Sequence, residues 1–451
     1  MSIARDLAEF LIRTRTADLP AQAADYATML IASTLASAAA GTTIGSAQIV
    51  RDLARERGGT PQASLWFDGG AKLPITDAAR ANALTSDAAA SDDSDLRNIV
   101  HCGTPLVATS LAIAEQSGAS GADVLGAIVL GYELAGRIND ATPGLRPRGF
   151  HGCCVAAFAA TGAAGRLLGL DAEQMTHAIC LTATSVGGLV VAADTSVARE
   201  YHAGAVTSAA IDAVRAARRG YTCEETVLEA PKGFFALLGG GPAPAGFQDG
   251  LGDSWDIVTD MAVKLVPGGH PYHALAEAAA NAARDANIAA DEIESITVSR
   301  PGMTALTPPL HPVDLIGMAH SPAYFTAAGA ADHRFSWVHC TPEKIADPVI
   351  HRLIDKVRVG PEPTESVERY RQGATATIRT RDGRTVTNTV FAPKGSGMLG
   401  IDWADIDAKY RALMPFSGLA GERIEQSLSV IHDFRRLANV APLIEVIRSA
   451  P

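Results

Sequence analysis

Asp92-Asp93-Ser94, followed by His101, is the first of five short polar clusters that interrupt an otherwise alanine-rich chain, and it decides how the sequence is interpreted. The other four lie far apart: Phe150-His151, Arg199 to Gly204, Lys264 with Pro267, His270 and His273, and Ser321 to Tyr324. Burying each charged side chain alone in a core of alanine, leucine and valine would cost several kcal/mol. We therefore expect the clusters to converge on one polar site.

Length and composition point to a globular protein with two domains. The chain has 451 residues, of which 47% are hydrophobic, more than one compact core normally takes up. The formal net charge is −11, and the lysines and arginines are scattered along the chain. Nucleic-acid binders carry a concentrated basic surface, so we expect no nucleic-acid partner.

Cysteine spacing and apolar runs bear on the compartment. None of the six cysteines forms a Cys-x-x-Cys pair, which predicts a reducing cytoplasm and argues against a zinc ribbon. Arg5, Asp6 and Glu9 make the N-terminus an amphipathic helix start, unlike a secretion signal. The charge-free run Ala178 to Ala193 falls short of the roughly 20 apolar residues that span a bilayer. We expect no membrane anchor.

From residue 1 to about 260 the spacing of apolar residues predicts helix after helix. Thr104-Pro105 is a typical helix start, and Ser120 to Asp123 and Asp171 to Gln174 are predicted capping boxes. Helix ends are expected at four glycines: Gly103, Gly118, Gly169 and Gly220. The abundance of alanine predicts closely packed helices, several of them buried on all sides.

After about residue 260 the pattern changes to strands. Strands are predicted at Ile293 to Val298, Lys356 to Val359, Ala374 to Thr380 and Thr385 to Phe391, the last two joined by an Asp382-Gly383 turn in an antiparallel sheet. Residues 402–448 return to a helical pattern. The predicted fold is mainly α: a large all-helical domain (residues 1–260 and 398–451) with an inserted smaller α+β lid domain (261–397).

The polar clusters, in this order and spacing, resemble the MmgE/PrpD family, which includes 2-methylcitrate dehydratase, cis-aconitate decarboxylase and iminodisuccinate epimerase. The resemblance covers nearly the whole chain and also includes Gly131-Tyr132-Glu133 and Gly149-Phe150-His151. It implies a helical domain with an α/β lid, a homodimer, and catalysis on small di- or tricarboxylates without a metal or organic cofactor. Cations and donors in such a site would stabilise the charge that develops when a proton leaves the carbon beside a carboxylate.

The resemblance also implies roles for individual residues. It assigns catalytic roles to Asp93, His101, His151, Lys264 and Tyr324, and substrate binding to Ser94, Arg199, His202 and His270. Asp93 would lie beside the reacting carbon as a base, whereas the alternative interpretation of Asp92-Asp93-Ser94 is a helix N-terminal cap. Lys264 would bind a carboxylate or donate a proton to the leaving group.

Some positions depart from the family pattern. Arg199 stands where the family usually has lysine, and Asp87 and Asp95 stand where it usually has histidine. Because arginine keeps its proton, Arg199 is expected to clamp a carboxylate and not to transfer protons. Fewer cations and more acids predict a substrate with fewer carboxylates than a tricarboxylate, or one that carries a positive group.

Three functional hypotheses follow, and the sequence leaves the substrate and the leaving group open. The leading one is a cofactor-independent lyase that removes an α-proton and eliminates water or another group, with dehydration favoured. The second is an epimerase or isomerase that returns the proton to the other face. The third is a catalytically silent carboxylate-binding dimer. Cys102, Cys153 and Cys154 flank His101 and His151, but no activating base follows from the sequence, so neither cysteine catalysis nor a metal is expected.

Overall fold

The computed structural model describes residues 2–448, and helices account for most of its regular structure. Close contacts divide the chain into two units: the first runs to Val263 and resumes at Asp402, and the second is Lys264–Ile401. The prediction of a mainly α protein is confirmed. That the second unit acts as a lid stays a prediction.

The first unit is built from helices that pack closely. They are α1 (Ile3–Arg13), α2 (Ala21–Gly41), α3 (Gly45–Arg57), α4 (Ile75–Ala88), α5 (Gly103–Ser117), α6 (Gly121–Asp140), α7 (Cys153–Leu167), α8 (Ala172–Ser185), α9 (Val190–Thr195), α10 (Ala198–Ala217) and α11 (Asp256–Thr259). Glycine permits the closest approach. A Cβ atom on Gly131 of α6 would stand 2.4 Å from the Ala159 carbonyl oxygen of α7.

The predicted helix signals are mostly present. Both predicted capping boxes form, at Ser120 with Asp123 and at Asp171 with Gln174, and Gly118 ends α5 in the left-handed conformation. The expectation that Gly103 ends a helix is wrong, because Gly103 is the first residue of α5. The signal failed there because the N–H of Gly103 is satisfied by the distant carboxylate of Asp93 and not by a local cap.

Short strand pairs also occur in the first unit, which the sequence had predicted to be all helical. β1 (Ala63–Ser64) pairs with β2 (Lys72–Leu73), and β3 (Asp93–Asp95) pairs antiparallel with β4 (Met261–Val263). The Asp-Asp-Ser motif therefore lies at a strand and not at a helix start. This pairing brings together two segments that are far apart in sequence.

The second unit packs helices against a four-stranded sheet. Its elements are α12 (His270–Asp285), β5 (Ile293–Ser299), α13 (Leu315–Ala319), α14 (Pro322–Asp332), α15 (Pro342–Ile345), α16 (Pro348–Ile354), β6 (Val357–Val359), β7 (Ala374–Thr380) and β8 (Thr385–Val390). The strand order is β6-β5-β7-β8, and the β7–β8 hairpin forms as predicted. The expectation of a purely antiparallel sheet is wrong, because β6 runs parallel to β5 after a long helical crossover.

The C-terminal part of the chain returns to helix, as predicted, with α17 (Trp403–Leu413), α18 (Gly421–His432) and α19 (Ala441–Ile447). Asp402 caps α17 by accepting from the Asp405 N–H. No single helix within residues 2–448 combines the length and apolar character needed to cross a bilayer, although the bent pair α2 and α3 meets those criteria jointly by length and composition.

Candidate active site

His101 is anchored by its Nδ1 atom, which faces three oxygen atoms from the segment before it. The distances are 2.6 Å to Oδ2 of Asp92, 2.7 Å to the Asp93 carbonyl oxygen and 3.2 Å to Oγ of Ser94. A carboxylate and a carbonyl can only accept, so we assign the proton of the neutral ring to Nδ1. Nε2 is then the nitrogen that can accept a proton.

Asp93 lies on the other side of this segment and is fully buried. Its Oδ1 accepts from the Gly103 N–H at 2.8 Å, and its Oδ2 accepts from the Tyr132 hydroxyl at 3.3 Å. Burial, together with the nearby charge of Asp92, raises the pKa of Asp93 to about 7. Asp93 therefore stabilises the start of α5, so the helix-capping interpretation describes one of its contacts, although the capped helix begins ten residues later than the motif suggested.

The Gly131-Tyr132-Glu133 motif supports the site in a way that the sequence analysis did not assign. Tyr132 donates to Asp93, and Glu133 accepts from the Asp256 N–H at 2.8 Å and from Nε of Arg137 at 2.7 Å. Each residue of this motif thus fixes a different neighbour. The family resemblance already singled out this motif in the sequence. The motif alone does not say which partner each side chain reaches.

Two more histidines continue a row that starts at His101. The His101 and His151 rings are 6.4 Å apart between centroids, and the His151 and His202 rings are 5.3 Å apart. Burial lowers the pKa of His151 well below its usual value, with a further contribution from His101, and burial also lowers the pKa of His202. Both rings are therefore neutral at neutral pH.

The backbone explains how His151 reaches this position. Its N–H donates to the Gly188 carbonyl at 2.9 Å, and the Val190 N–H donates back to Gly149 at the same distance. These bonds tie the segment before α7 to the segment before α9. His202 comes from the second turn of α10, and Cys153 is the first residue of α7. Ligand atoms of His151, Cys153 and His202 lie within 4.8 Å of one another, which makes this trio a group that could hold a metal.

Arg199 is buried and directed at the end of α4. Its Nη2 donates to the carbonyl oxygens of Asp87 at 2.5 Å and Ala88 at 3.4 Å, and its Nε lies 3.5 Å from the Asp87 carboxylate. The two departures from the family pattern, Arg199 and Asp87, therefore neutralise each other. Binding of a substrate carboxylate by Arg199 stays a prediction. Such a carboxylate would have to compete with these contacts for the guanidinium.

Asp95, the third departure from the family pattern, is also paired inside the first unit. Its carboxylate lies 2.8 Å from Nη2 of Arg97, and the same nitrogen lies 2.8 Å from Oδ2 of Asp256. Burial raises the pKa of Asp95 and of Asp256 in spite of this cation. An acid at position 95 thus holds β3 to the chain around α11.

The remaining candidate residues lie in the second unit. Lys264 follows β4 directly and is buried, and His270 is the first residue of α12, with its ring 4.7 Å from that of His273. The Tyr324 hydroxyl donates to the His339 carbonyl oxygen at 2.9 Å. Catalytic roles for Lys264 and Tyr324 and substrate binding by His270 stay predictions of the resemblance.

Fold and site together define a class of protein: a helical protein with a row of three histidines, the first of which lies against a carboxylate. Two family models match the chain. Residues 5–246 match the MmgE/PrpD N-terminal domain, and residues 267–432 match the MmgE/PrpD C-terminal domain. The chain belongs to the MmgE/PrpD family, which confirms the resemblance drawn from the polar clusters.

Curated relatives match over most of their length. A cis-aconitate decarboxylase-like protein of Aspergillus oryzae is 27% identical over 77% of each chain. The cis-aconitate decarboxylase of Homo sapiens is 23% identical over 93% of this chain and 89% of its own, and that of Aspergillus terreus is 27% identical over 84% and 82%. The similarity thus extends through both units.

Proposed function

We propose that the protein is a lyase that acts on a small carboxylate, with His101 as the group that moves the proton at the reacting carbon. The contact between Asp92 and Nδ1 of His101, 2.6 Å long, carries this proposal. The hydrogen bond from Nδ1–H to the Asp93 carbonyl fixes the ring and its tautomer, and the Asp92 carboxylate beside Nδ1 stabilises the imidazolium that forms when Nε2 takes up a proton. The proposal makes Asp92 the positioning partner of the base.

Asp93 has a different role in this proposal from the one implied by the resemblance. Both of its oxygens accept hydrogen bonds from groups inside the first unit, so its carboxylate is engaged by Gly103 and Tyr132. We propose that Asp93 supports His101 through its backbone carbonyl, which accepts from Nδ1 at 2.7 Å. Asp93 is then a positioning residue and His101 is the catalytic one.

His151 and His202 supply the second requirement of the reaction. Removing a proton beside a carboxylate, or losing CO₂, builds negative charge on the substrate. A neutral imidazole can donate a hydrogen bond to that charge through its N–H. The lowered pKa values of His151 and His202 keep both rings neutral. We propose that these two rings stabilise the carbanionic intermediate.

The same histidine serves two leaving groups. In dehydration, Nε2 of His101 takes the α-proton, the bond between the neighbouring carbon and its hydroxyl breaks, and the imidazolium returns that proton to the departing hydroxide, so that water leaves and the alkene forms. In decarboxylation, His101 first takes up a proton from solvent at Nε2; the bond to the carboxylate then breaks, CO₂ leaves, and the Nε2–H of His101 protonates the resulting carbanion. The names of the curated relatives support loss of CO₂, whereas dehydration was the outcome favoured from the sequence alone.

Proton NMR in D₂O with a panel of small carboxylates tests the proposal. The panel contains cis-aconitate, hydroxylated di- and tricarboxylates and amino dicarboxylates. Loss of a carbon as CO₂ with deuterium entering the product indicates a decarboxylase, and a new vinyl signal with loss of water indicates a dehydratase.

Other outcomes would count against a lyase. Deuterium exchange accompanied only by interconversion of stereoisomers would favour the epimerase. Saturable binding without exchange or turnover across the panel would favour the silent carboxylate-binding protein. Parallel runs with His101→Asn identify any reaction that does not use this site.

A further inference from the structure

We propose that His151, Cys153 and His202 form a binding site for a divalent transition-metal ion of the zinc type, and that the bound ion inhibits the enzyme. The resemblance assigns no metal to these residues. Metal binding by the trio does not depend on the proposed lyase reaction, whereas the inhibitory consequence does.

The two imidazoles face each other at a distance that suits an ion better than a hydrogen bond. Nδ1 of His151 and Nδ1 of His202 are 3.4 Å apart, beyond the about 2.7–3.2 Å of a usual hydrogen bond. Two nitrogens that are each about 2.0–2.1 Å from a tetrahedral zinc ion stand about 3.3–3.4 Å apart. The observed separation therefore matches the edge of a zinc coordination tetrahedron.

Cys153 supplies the third ligand. Its Sγ and one ring nitrogen from each histidine are all within 4.8 Å of one another, and its S–H donates to the Gly187 carbonyl at 3.5 Å. Histidine nitrogens and cysteine thiolates are the usual protein ligands of zinc, and a site with three protein ligands leaves the fourth position to water or another ligand. Three ligands with an open position also suit a reversible, exchangeable ion.

A glycine keeps the centre of the trio open. A Cβ atom on Gly188 would stand 2.6 Å from Sγ of Cys153 and 3.3 Å from Nδ1 of His202. Because the Gly188 carbonyl also accepts the His151 N–H at 2.9 Å, the same residue positions one ligand and leaves room beside the other two. Any side chain at this position would occupy the space between the sulfur and the imidazole.

Binding follows a balanced exchange. The aqueous ion loses water, the Cys153 S–H bond breaks, and a sulfur–metal bond forms while the proton passes to solvent; no electron is transferred. The resulting thiolate cancels one of the two positive charges of the ion. Since the ion takes up Nδ1 of both His151 and His202, these rings are fixed in place and the fourth position competes with substrate.

Titration of metal-free, full-length protein with Co²⁺ tests the site, because cobalt reports its ligands spectroscopically. We expect one ion per chain, intense visible bands typical of tetrahedral cobalt, and a sulfur-to-cobalt charge-transfer band in the near ultraviolet. Cys153→Ser should abolish the charge-transfer band. Cys154→Ser is the matched control, since this neighbouring buried cysteine is outside the trio, and it should keep the band. His202→Gln should weaken binding at least about tenfold.

The opposite results are equally clear. Absence of cobalt binding by the wild type, or a charge-transfer band that persists in Cys153→Ser, would overturn the site. If Cys153→Ser does not fold, as judged by circular dichroism and thermal unfolding, the half-buried His202→Gln variant decides by its affinity. Zn²⁺ should lower turnover of the wild type and spare Cys153→Ser, and stoichiometric binding without inhibition would overturn the inhibitory role. The spectra need no substrate, so failure of the lyase proposal would leave the result on the metal site intact.

Discussion

Asp92 and Asp93 are adjacent and chemically identical, yet the structure gives them different partners. Successive side chains in extended backbone point in opposite directions. The Asp92 carboxylate therefore reaches His101, whereas the Asp93 carboxylate reaches Gly103 and Tyr132. A sequence motif does not show which of two neighbouring acids contacts the catalytic histidine. The resemblance pointed to Asp93, whereas the geometry favours the Asp92 carboxylate as the partner of His101.

Replacing either member of the His101–Asp92 pair should impair turnover without unfolding the protein. We expect His101→Asn to lower kcat by about 10²–10⁴-fold, the usual contribution of a general base. Asp92→Asn should cause a loss of similar order, because the amide can no longer stabilise the imidazolium. His177→Asn, on α8 and outside the row, is the control and should keep wild-type kcat. Steady-state kinetics on the substrate identified by NMR provide the measurement, and wild-type rates for His101→Asn would rule out this base.

The raised pKa of Asp93 predicts how stability changes with pH. The folded protein keeps a proton on Asp93 up to about pH 7, whereas an unfolded chain releases it near pH 4. Between these values the unfolded state binds fewer protons, so this group makes the protein less stable as pH rises. Asp93→Asn removes that titration and keeps an acceptor for the Gly103 N–H.

The free energy of unfolding, measured in urea at pH 5 and pH 8, should reveal this effect. The difference between Asp93→Asn and the wild type should move in favour of the variant by about 1–3 kcal/mol over that interval. Comparing two chains at each pH cancels the contributions of His151 and His202, whose lowered pKa values act in the opposite sense. Asp433→Asn, at an exposed carboxylate, is the control for the loss of one negative charge. A flat difference for Asp93→Asn would contradict the proposed titration.

At the scale of elements, the contact between α4 and α10 depends on a buried ion pair. Arg199 of α10 reaches both the Asp87 side chain and the last carbonyls of α4, where a cation is favoured by the helix dipole. Arg199 and Asp87 are far apart in sequence. Considered separately, each departure from the family pattern was interpreted as a change in the charge of the substrate site. Their contact indicates that the two changes compensate each other within the fold.

A double-mutant cycle distinguishes a structural from a substrate-binding role for Arg199. We expect Arg199→Met to destabilise the protein by about 3–5 kcal/mol, because it leaves Asp87 charged and buried. Asp87→Asn combined with Arg199→Met should lose less than the sum of the two single changes. Arg436→Met, which removes an exposed partner of Asp433, should cost at most about 1 kcal/mol. Urea unfolding gives the energies. An increase in KM with unchanged stability in Arg199→Lys would instead support the carboxylate clamp.

At the scale of the whole molecule, the first unit presents apolar side chains around α9 that a monomer would leave in water. Leu189, Val191, Val197 and Tyr201 are each exposed by half or more. Exposed apolar clusters of this kind are typical of interaction surfaces. They support the proposal of a homodimer, which the family resemblance also implies.

Sedimentation analysis checks this proposal. We expect the wild type at micromolar concentration to have twice the mass of one chain, and Val191→Asp to shift the population toward the monomer because it places a charge in an apolar contact. Asp253→Lys, at an exposed site that lies outside this cluster, is a control for a general effect of charge. A wild type that sediments as a monomer would remove the proposal.

Local signals in the sequence were sufficient for much of the secondary structure and for the family. The capping boxes at Ser120 and Asp171 and the hairpin of residues 374–390 were predicted correctly. Each depends on hydrogen bonds between residues a few positions apart or on one short turn. A short stretch of sequence therefore contains all the residues that determine it. The family followed from the identity and order of the polar clusters, and both can be recognised in the sequence without knowing which residues are in contact.

Only the tertiary structure decided how those clusters are used. The parallel pairing of β5 with β6, the contact of Arg199 with Asp87 and the meeting of His151, Cys153 and His202 join segments separated by tens of residues or more. Such contacts depend on how all the intervening helices pack, and no local pattern encodes them. The sequence by itself thus determined which chemical groups the protein carries, whereas packing determined which of them face one another, because distance in space is set by the whole core.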